Sequence, residues 1–259
     1  MITTDLIPSV FTAASSVTAS PAVSTRYSHV RTLDVLQPLL DEGWTVRKQT
    51  VARSSVVLPE HRAHEIRLAP AGLRQVGDSI PEVIIRNGAD GATALSVRAG
   101  LFRLVCANGL TVGSASFEAR VRHVGVDLQR RVIAAARDIA TKTEQLPEIV
   151  AKWSERTLSW AERTEFNRRA AALRWSDANL SVDMSWFGMP LRNDDAGADL
   201  WRTFNRAQES VIRGGVPISR HLPTIGTEIV TRRARAVSSI DAAARLNADL
   251  WNLAAEFSN

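Results

Sequence analysis

Cys106 is the only cysteine of the chain and lies in the run Phe102-Arg103-Leu104-Val105-Cys106-Ala107-Asn108-Gly109-Leu110. A nucleophilic thiolate needs a base to take its proton, and His123 is the nearest candidate in sequence. A cysteine flanked by Val105 and Ala107 also reads as a small buried hydrophobe, and core packing is the preferred reading. His61 and His64 stand three apart, a spacing that suits two metal ligands on a helix. The surrounding pattern is extended, however, and turns them to opposite faces. Asp194-Asp195, beside Asn193 and Gly197, reads as a solvated loop that supplies negative charge ahead of a helix. The sequence contains no phosphate-loop, dinucleotide, serine-elbow or zinc-protease signature. Neither a metal nor a cofactor is expected.

Arginine carries most of the remaining chemistry. The chain has 32 Lys and Arg against 27 Asp and Glu, a net charge of +5. Only Lys48, Lys142 and Lys152 are lysines, so the cation of this sequence is a planar fork of donors that suits phosphate and can stack on bases. From Arg98 to Arg137, the cations Arg98, Arg103, Arg120, Arg122, Arg130, Arg131 and Arg137 face only Glu118 and Asp127. A second cluster is Thr231-Arg232-Arg233-Ala234-Arg235, after a Pro- and Gly-containing stretch and ahead of the last helix, where it should be exposed.

Several elements must position these groups. With 259 residues, 45% of them apolar, the chain can bury a core without disulfide or metal support. Its apolar runs are too short to span a bilayer, its start lacks a signal-peptide pattern, and a single cysteine fits a reducing cytoplasm. Residues 1–25, rich in Ser, Thr, Ala and Pro, read as a flexible arm. Leu33, Leu36, Leu39 and Leu40 recur at helical spacing, with Pro38 arguing for a short or broken helix. From Trp44 the period becomes two. Residues 44–53, 64–68, 82–86, 93–98 and 117–123 predict a mainly antiparallel sheet of four or five strands within a sheet-rich part, 26–125.

After Gly125 the pattern is helical, giving a helical part, 126–259, packed on the sheet as a single module. Leu128, Val132, Ala135 and Ile139 form one stripe; Trp160, Phe166, Ala170 and Leu173 a second; Leu200, Phe204, Ala207 and Val211 a third, stopped by Gly214-Gly215. The last helix runs from about Ser239 to Phe257. An irregular stretch with Pro217, Pro223 and Gly226 separates the final two. Strands first and helices afterwards make the fold class α+β.

Alternation along Phe117–His123 puts Phe117, Ala119 and Val121 on one face and Glu118, Arg120 and Arg122 on the other. The same parity puts Arg98 opposite Leu95 and Val97, and Arg67 opposite Ile66 and Leu68. If these strands are neighbours, one face carries Arg67, Arg98, Arg120 and Arg122, a surface that attracts phosphate in a salt-dependent way. Glu65 and Glu118 partly neutralise it in the alternative reading, an ordinary solvated face. The tryptophans fall mostly at helix positions that suit a core, so stacking partners are less evident.

Arg26-Tyr27, Pro81-Glu82-Val83-Ile84, Asp90-Gly91, the run from Gly100 to Leu110, Arg120-Val121 with His123 and Gly125, Leu200-Trp201, Gln208-Glu209, Gly214-Gly215, Arg233-Ala234-Arg235-Ala236 and Leu250-Trp251 resemble one family. It is the YfjQ and YafZ type of prophage protein, part of a large group of phage and plasmid proteins defined by a domain of unknown function (DUF932). Within the most specific run, Arg103, Cys106, Asn108 and Gly109 carry the match, joined by His123. The resemblance implies a mobile-element origin and no particular activity. Together with the charge pattern it gives the leading expectation: a non-enzymatic protein binding, and in an extension annealing, single-stranded DNA. Arg67, Arg98, Arg120, Arg122, Arg130, Arg131, Arg232, Arg233 and Arg235 are the expected contacts. A counter-defence protein that binds a host protein is the alternative, and an enzyme using Cys106 or His123 the third. Self-association is compatible with each.

Overall fold

The computed structural model describes residues 6–72, 79–103, 109–111, 118–222 and 228–258. The fold is α+β, with an antiparallel sheet first and a mostly helical second half. Its contacts divide the chain into two compact units, Met1–Gly109 with Ala115–Leu146 and Leu110–Ser114 with Pro147–Asn259. The expected division at 125/126 therefore moves to Leu146. The helix that begins at Leu128 belongs with the sheet, because its apolar stripe is what the sheet buries.

The first unit contains α1 (Pro8–Ala14), α2 (Thr32–Asp41), β1 (Thr45–Val51), β2 (His64–Ala69), β3 (Ser79–Asn87), β4 (Leu95–Arg103), β6 (Glu118–Val121) and α3 (Leu128–Thr143), and the short strand β5 (Gly109–Thr111) begins at its last residue before the chain passes to the second. The strands form a sheet in the order β1-β2-β3-β4-β5, with β6 pairing β4. The pairs β1–β2, β2–β3, β3–β4 and β4–β6 are all antiparallel. Five of the six strands coincide with the period-two segments of the sequence; β5, three residues long, is too short to show a period.

α3 packs on β3, β4 and β6 through Leu128, Val132, Ala136 and Ile139. α2 packs on α3 and runs unbroken through Pro38. Proline has no N–H to give the carbonyl four residues back, which here is Asp34. Gln129 Nε2 on α3 donates to that carbonyl instead, at 2.7 Å, so the gap left by Pro38 becomes a tie between two helices.

Residues 6–25 are not a loose arm. Leu6, Val10, Ala13 and Ala14 are buried, and α1 packs on β1, β2 and the turn Pro59–His61. Small residues hid this stripe, since Ala13 and Ala14 carry little hydropathy of their own. Farther along, Ser20 N–H donates to the Ala89 carbonyl, and the Ser15 and Ser16 carbonyls meet Arg31 Nε and His29 Nε2.

The second unit contains α4 (Leu146–Glu155), α5 (Trp160–Arg174), β7 (Leu180–Val182), α6 (Leu200–Ile212), β8 (Pro217–Leu222), β9 (Glu228–Arg233) and α7 (Ile240–Glu256). Its core is aromatic. Trp153 lies 4.4 Å from Trp251 and 5.6 Å from Phe204 between ring centroids, and α6 packs on α5 and α7. Leu200, Phe204, Ala207 and Val211 are all fully buried, as their spacing requires. Trp160 and Leu173 are exceptions among the expected inward residues, and Trp160 has 75% of its surface exposed. Trp160 precedes Phe166 by six residues, about two-thirds of a turn off the buried stripe. The stretch expected to be irregular holds β8 and β9, which form a three-stranded antiparallel sheet with β7. No helix among the described residues is long and apolar enough to cross a membrane.

One buried polar chain fixes α2 to the sheet. Asn87 Nδ2 donates to the Val30 carbonyl and to Thr32 Oγ1, at 3.0 and 2.9 Å. His64 Nδ1 faces the Arg62 carbonyl, so it carries the proton, and Thr32 Oγ1 donates to Nε2 at 2.8 Å. The chain needs a neutral imidazole, and burial lowers the His64 pKa below 6.5. The unfolded chain therefore takes up a proton before the folded one does, and stability is lost as pH falls below about 6.5. Urea unfolding at about pH 7.5 and pH 5.5 should show a lower midpoint in acid; an unchanged midpoint would mean that His64 titrates normally.

Candidate nucleic-acid interface

The sheet brings together Arg67, Arg98 and Arg120, which alternation placed on one face, and it buries Arg98 and covers most of Arg67. Across β2, β3, β4 and β6, Arg67 stands opposite Ile84, Ile84 opposite Arg98, and Arg98 opposite Glu118. One step along, Glu65 stands opposite Arg86, Arg86 opposite Ser96, and Ser96 opposite Arg120. Arg67 Nε donates to Glu82 Oε2 at 2.6 Å, and Arg98 Nη2 reaches past β3 to Glu65 Oε2 at 3.1 Å. The Arg67 and Arg98 side chains keep 12% and 7% of their exposure, with Glu82 also buried. The expectation that Arg67 and Arg98 are accessible phosphate contacts is thus corrected. The reason is two acids on the same face, Glu82 against Arg67 and Glu65 against Arg98, neither of which the charge count over 98–137 includes. Arg120 is exposed at the end of the ladder and pairs with Glu118 at 2.8 Å.

Beyond β6 the chain opens to solvent. Arg122 is exposed, and the backbone turns through Gly125 (φ +90°) and Asp127 (φ 58°) into α3. Arg130 is 83% exposed, with Asp127 at 3.1 Å, and Arg131 beside it is exposed too. A cavity of about 460 Å³ borders this turn, lined by Ser28, His29, Arg31, Asp34, Asp127 and Arg130 among others. Two acids face its cations, so it is not a strongly positive pocket.

His123 closes the turn from inside. Its ring stacks on Tyr27, with centroids 4.5 Å apart and planes at 16°. Nδ1 meets the Ser28 carbonyl at 3.1 Å, while Ser28 N–H donates to the His123 carbonyl at 2.7 Å. Burial lowers the His123 pKa, and Tyr27, whose hydroxyl donates to the Gly88 carbonyl, is pushed up to about 12, chiefly by burial. Both groups are neutral at pH 7 and act as a clasp between residues 27–28 and the end of β6. Arg103 ends β4 and Gly109 begins β5, whereas Cys106 and Asn108 lie outside the described residues. Among the described residues no cluster of three or more His, Cys, Asp or Glu could hold a metal ion.

In the second unit, Arg232 and Arg233 lie in β9 itself, not in a loop before the last helix. β9 is the end strand of its sheet, and Val230, Thr231, Arg232 and Arg233 are all exposed, so both faces of the strand meet solvent. Arg235 is exposed just beyond. Gly214 makes this possible: at φ +78° a Cβ would stand 2.5 Å from the Ala234 carbonyl oxygen, so only glycine lets 234–235 pass over the end of α6. Asp195, expected in a solvated loop, is buried and bonded to Arg192 at 3.2 Å, with Arg192 also on Glu209. Asp199 is the residue that caps α6, accepting from Arg202 N–H at 2.9 Å.

The family model described as Domain of unknown function (DUF932) matches residues 21–251. The chain belongs to the DUF932 family. It is 31% identical over 252 residues to both UPF0380 protein YfjQ and UPF0380 protein YafZ of Escherichia coli (strain K12), covering 96% of this chain and 87% of each relative. No solved structure matches it significantly.

The two kinds of arginine separate by experiment. Arg98→Ala takes the bonded cation from a half-buried Glu65 and should cost about 1–3 kcal/mol of unfolding free energy. Arg130→Ala, at a solvated ion pair, should leave the unfolding midpoint where it was. Equal effects in urea melts would contradict the buried ladder.

Proposed function

We propose that this chain is a non-enzymatic accessory protein of a mobile genetic element that binds single-stranded DNA, and anneals strands, through its exposed arginines. The observation that carries the reading is two short runs of solvent-facing guanidiniums: Arg122, Arg130 and Arg131 in the first unit, and Arg232, Arg233 and Arg235 in the second. Arg120 adds to the first run, sharing its charge with Glu118. Guanidiniums bind phosphate by bidentate hydrogen bonding and by release of counterions, which needs no base contact and no catalytic group. The resemblance to phage and plasmid proteins fits such a role. Arg67 and Arg98 have no part in it.

Binding to a labelled oligothymidylate across a salt series tests this reading. The parent should bind with a steep loss of affinity as salt rises. Converting Arg232, Arg233 and Arg235 to Ala should flatten the log-log slope by up to about 2, at about 0.7 per phosphate contact on a single strand. Sequence preference should hardly change, since phosphate contacts do not read bases. A parent protein that binds no oligonucleotide at low salt would overturn the proposal.

A further inference from the structure

We infer that Trp186 is a stacking platform for a nucleobase, with Arg233 holding the ring; this rests on the single-strand reading above. Trp186 lies in the loop after β7 and is 47% exposed. The loop is firmly built. Asp183 N–H donates to the Pro217 carbonyl at 3.0 Å, the Trp186 and Phe187 N–H groups donate to the Asp183 carbonyl at 3.1 Å, and Gly188 N–H donates to Ser210 Oγ at 3.1 Å. Asp183 is itself engaged, its carboxylate accepting from the Ser185 N–H and hydroxyl. Phe187 turns inward and is buried, edge-on to Trp175 at 6.4 Å. The indole is thus half-exposed on a loop whose neighbouring aromatic is the anchor, and Met184, Met189 and Leu191 of the same loop are exposed with it.

The guanidinium carbon of Arg233 lies 4.6 Å from the Trp186 ring centroid, and Arg233 Nη1 donates to the Gly215 carbonyl at 2.7 Å. One ring face is therefore covered by a cation that a backbone carbonyl fixes in place. Register sets Ser181 opposite Ser219 and Ser219 opposite Thr231, two residues from Arg233 on the same sheet face. The Ser219 and Thr231 hydroxyls are 2.8 Å apart. An aromatic ring, a row of hydroxyls and the exposed cations Arg232, Arg233 and Arg235 lie along one edge strand and its neighbouring loop. The indole is bordered by the Arg233 guanidinium, and an aromatic face beside a cation is the combination that a single strand needs for a stacked base and its phosphate. Every base has a π-face, so the platform tolerates any sequence.

The test is the affinity of the full chain for a labelled oligothymidylate and for an abasic strand of equal length. Trp186→Ala should weaken binding to the base-bearing strand by roughly 5- to 150-fold and leave the abasic strand's affinity unchanged. Trp186→Phe, which keeps a ring and guards against a folding artefact, should retain most of the affinity. Equal binding by the parent and Trp186→Ala would overturn the platform while leaving the single-strand reading intact, and so would an equal loss on both strands. If the parent binds neither strand, the single-strand reading falls and takes the platform with it. Reduced self-association of Trp186→Ala in sedimentation, with oligonucleotide binding unaltered, would make the patch an interface between copies and contradict the proposal.

Discussion

Each ion taken out of water costs several kcal/mol, and the first unit meets that cost by matching charges across its sheet. Arg67 with Glu82 and Arg98 with Glu65 join β2 to β3 and β2 to β4, so three strands share one pattern of pairs. A slip of one residue would turn these side chains to the other face and leave each of them unmatched. The register is therefore specified twice, once by the apolar parity of Ile66, Leu68, Val83, Ile85, Leu95 and Val97 and once by the charges between them. The strand ends and the turn into α3 follow from that register. The neutral His64 and His123 fasten the preceding chain to it at Thr32 and Ser28.

This matching divides the arginines into two populations. Those within the ladder hold the sheet, and those beyond it, on the turn into α3 and along β9, meet solvent. Net charge along a stretch of sequence does not distinguish them. The stretch 98–137 carries an excess of arginine, yet the acid that buries Arg67 comes from β3 and the acid that buries Arg98 from β2, both outside that window. Only the folded register reveals which cations are already spent.

Elements with a strong period were legible in the sequence. α6 and α7 begin at Asp199 and Ser239 caps, and the α6 stripe is buried as its spacing demands. Strands β1 to β4 and β6 showed period two. The hairpin β8–β9 did not, because Pro217, Pro223 and Gly226 mask its alternation and because β9 is exposed on both faces, which removes the apolar signal. α1 was hidden by alanines. The fate of Arg67 depended on Glu82, fifteen residues away, and the exposure of Trp186 depended on its neighbour Phe187 taking the core position. Neither is a local property of the chain.

Accessible and buried arginines thus do different work, and arginine-specific modification mapped by peptide mass spectrometry distinguishes the two populations. With phenylglyoxal on the free protein, Arg122, Arg130, Arg131, Arg232 and Arg235 should react, and Arg67 and Arg98 should not. Added oligothymidylate should protect the reactive group and leave the other two unchanged. Reaction at Arg67 and Arg98 that the strand suppresses, with no protection of the exposed arginines, would contradict the account and return the binding surface to the sheet face.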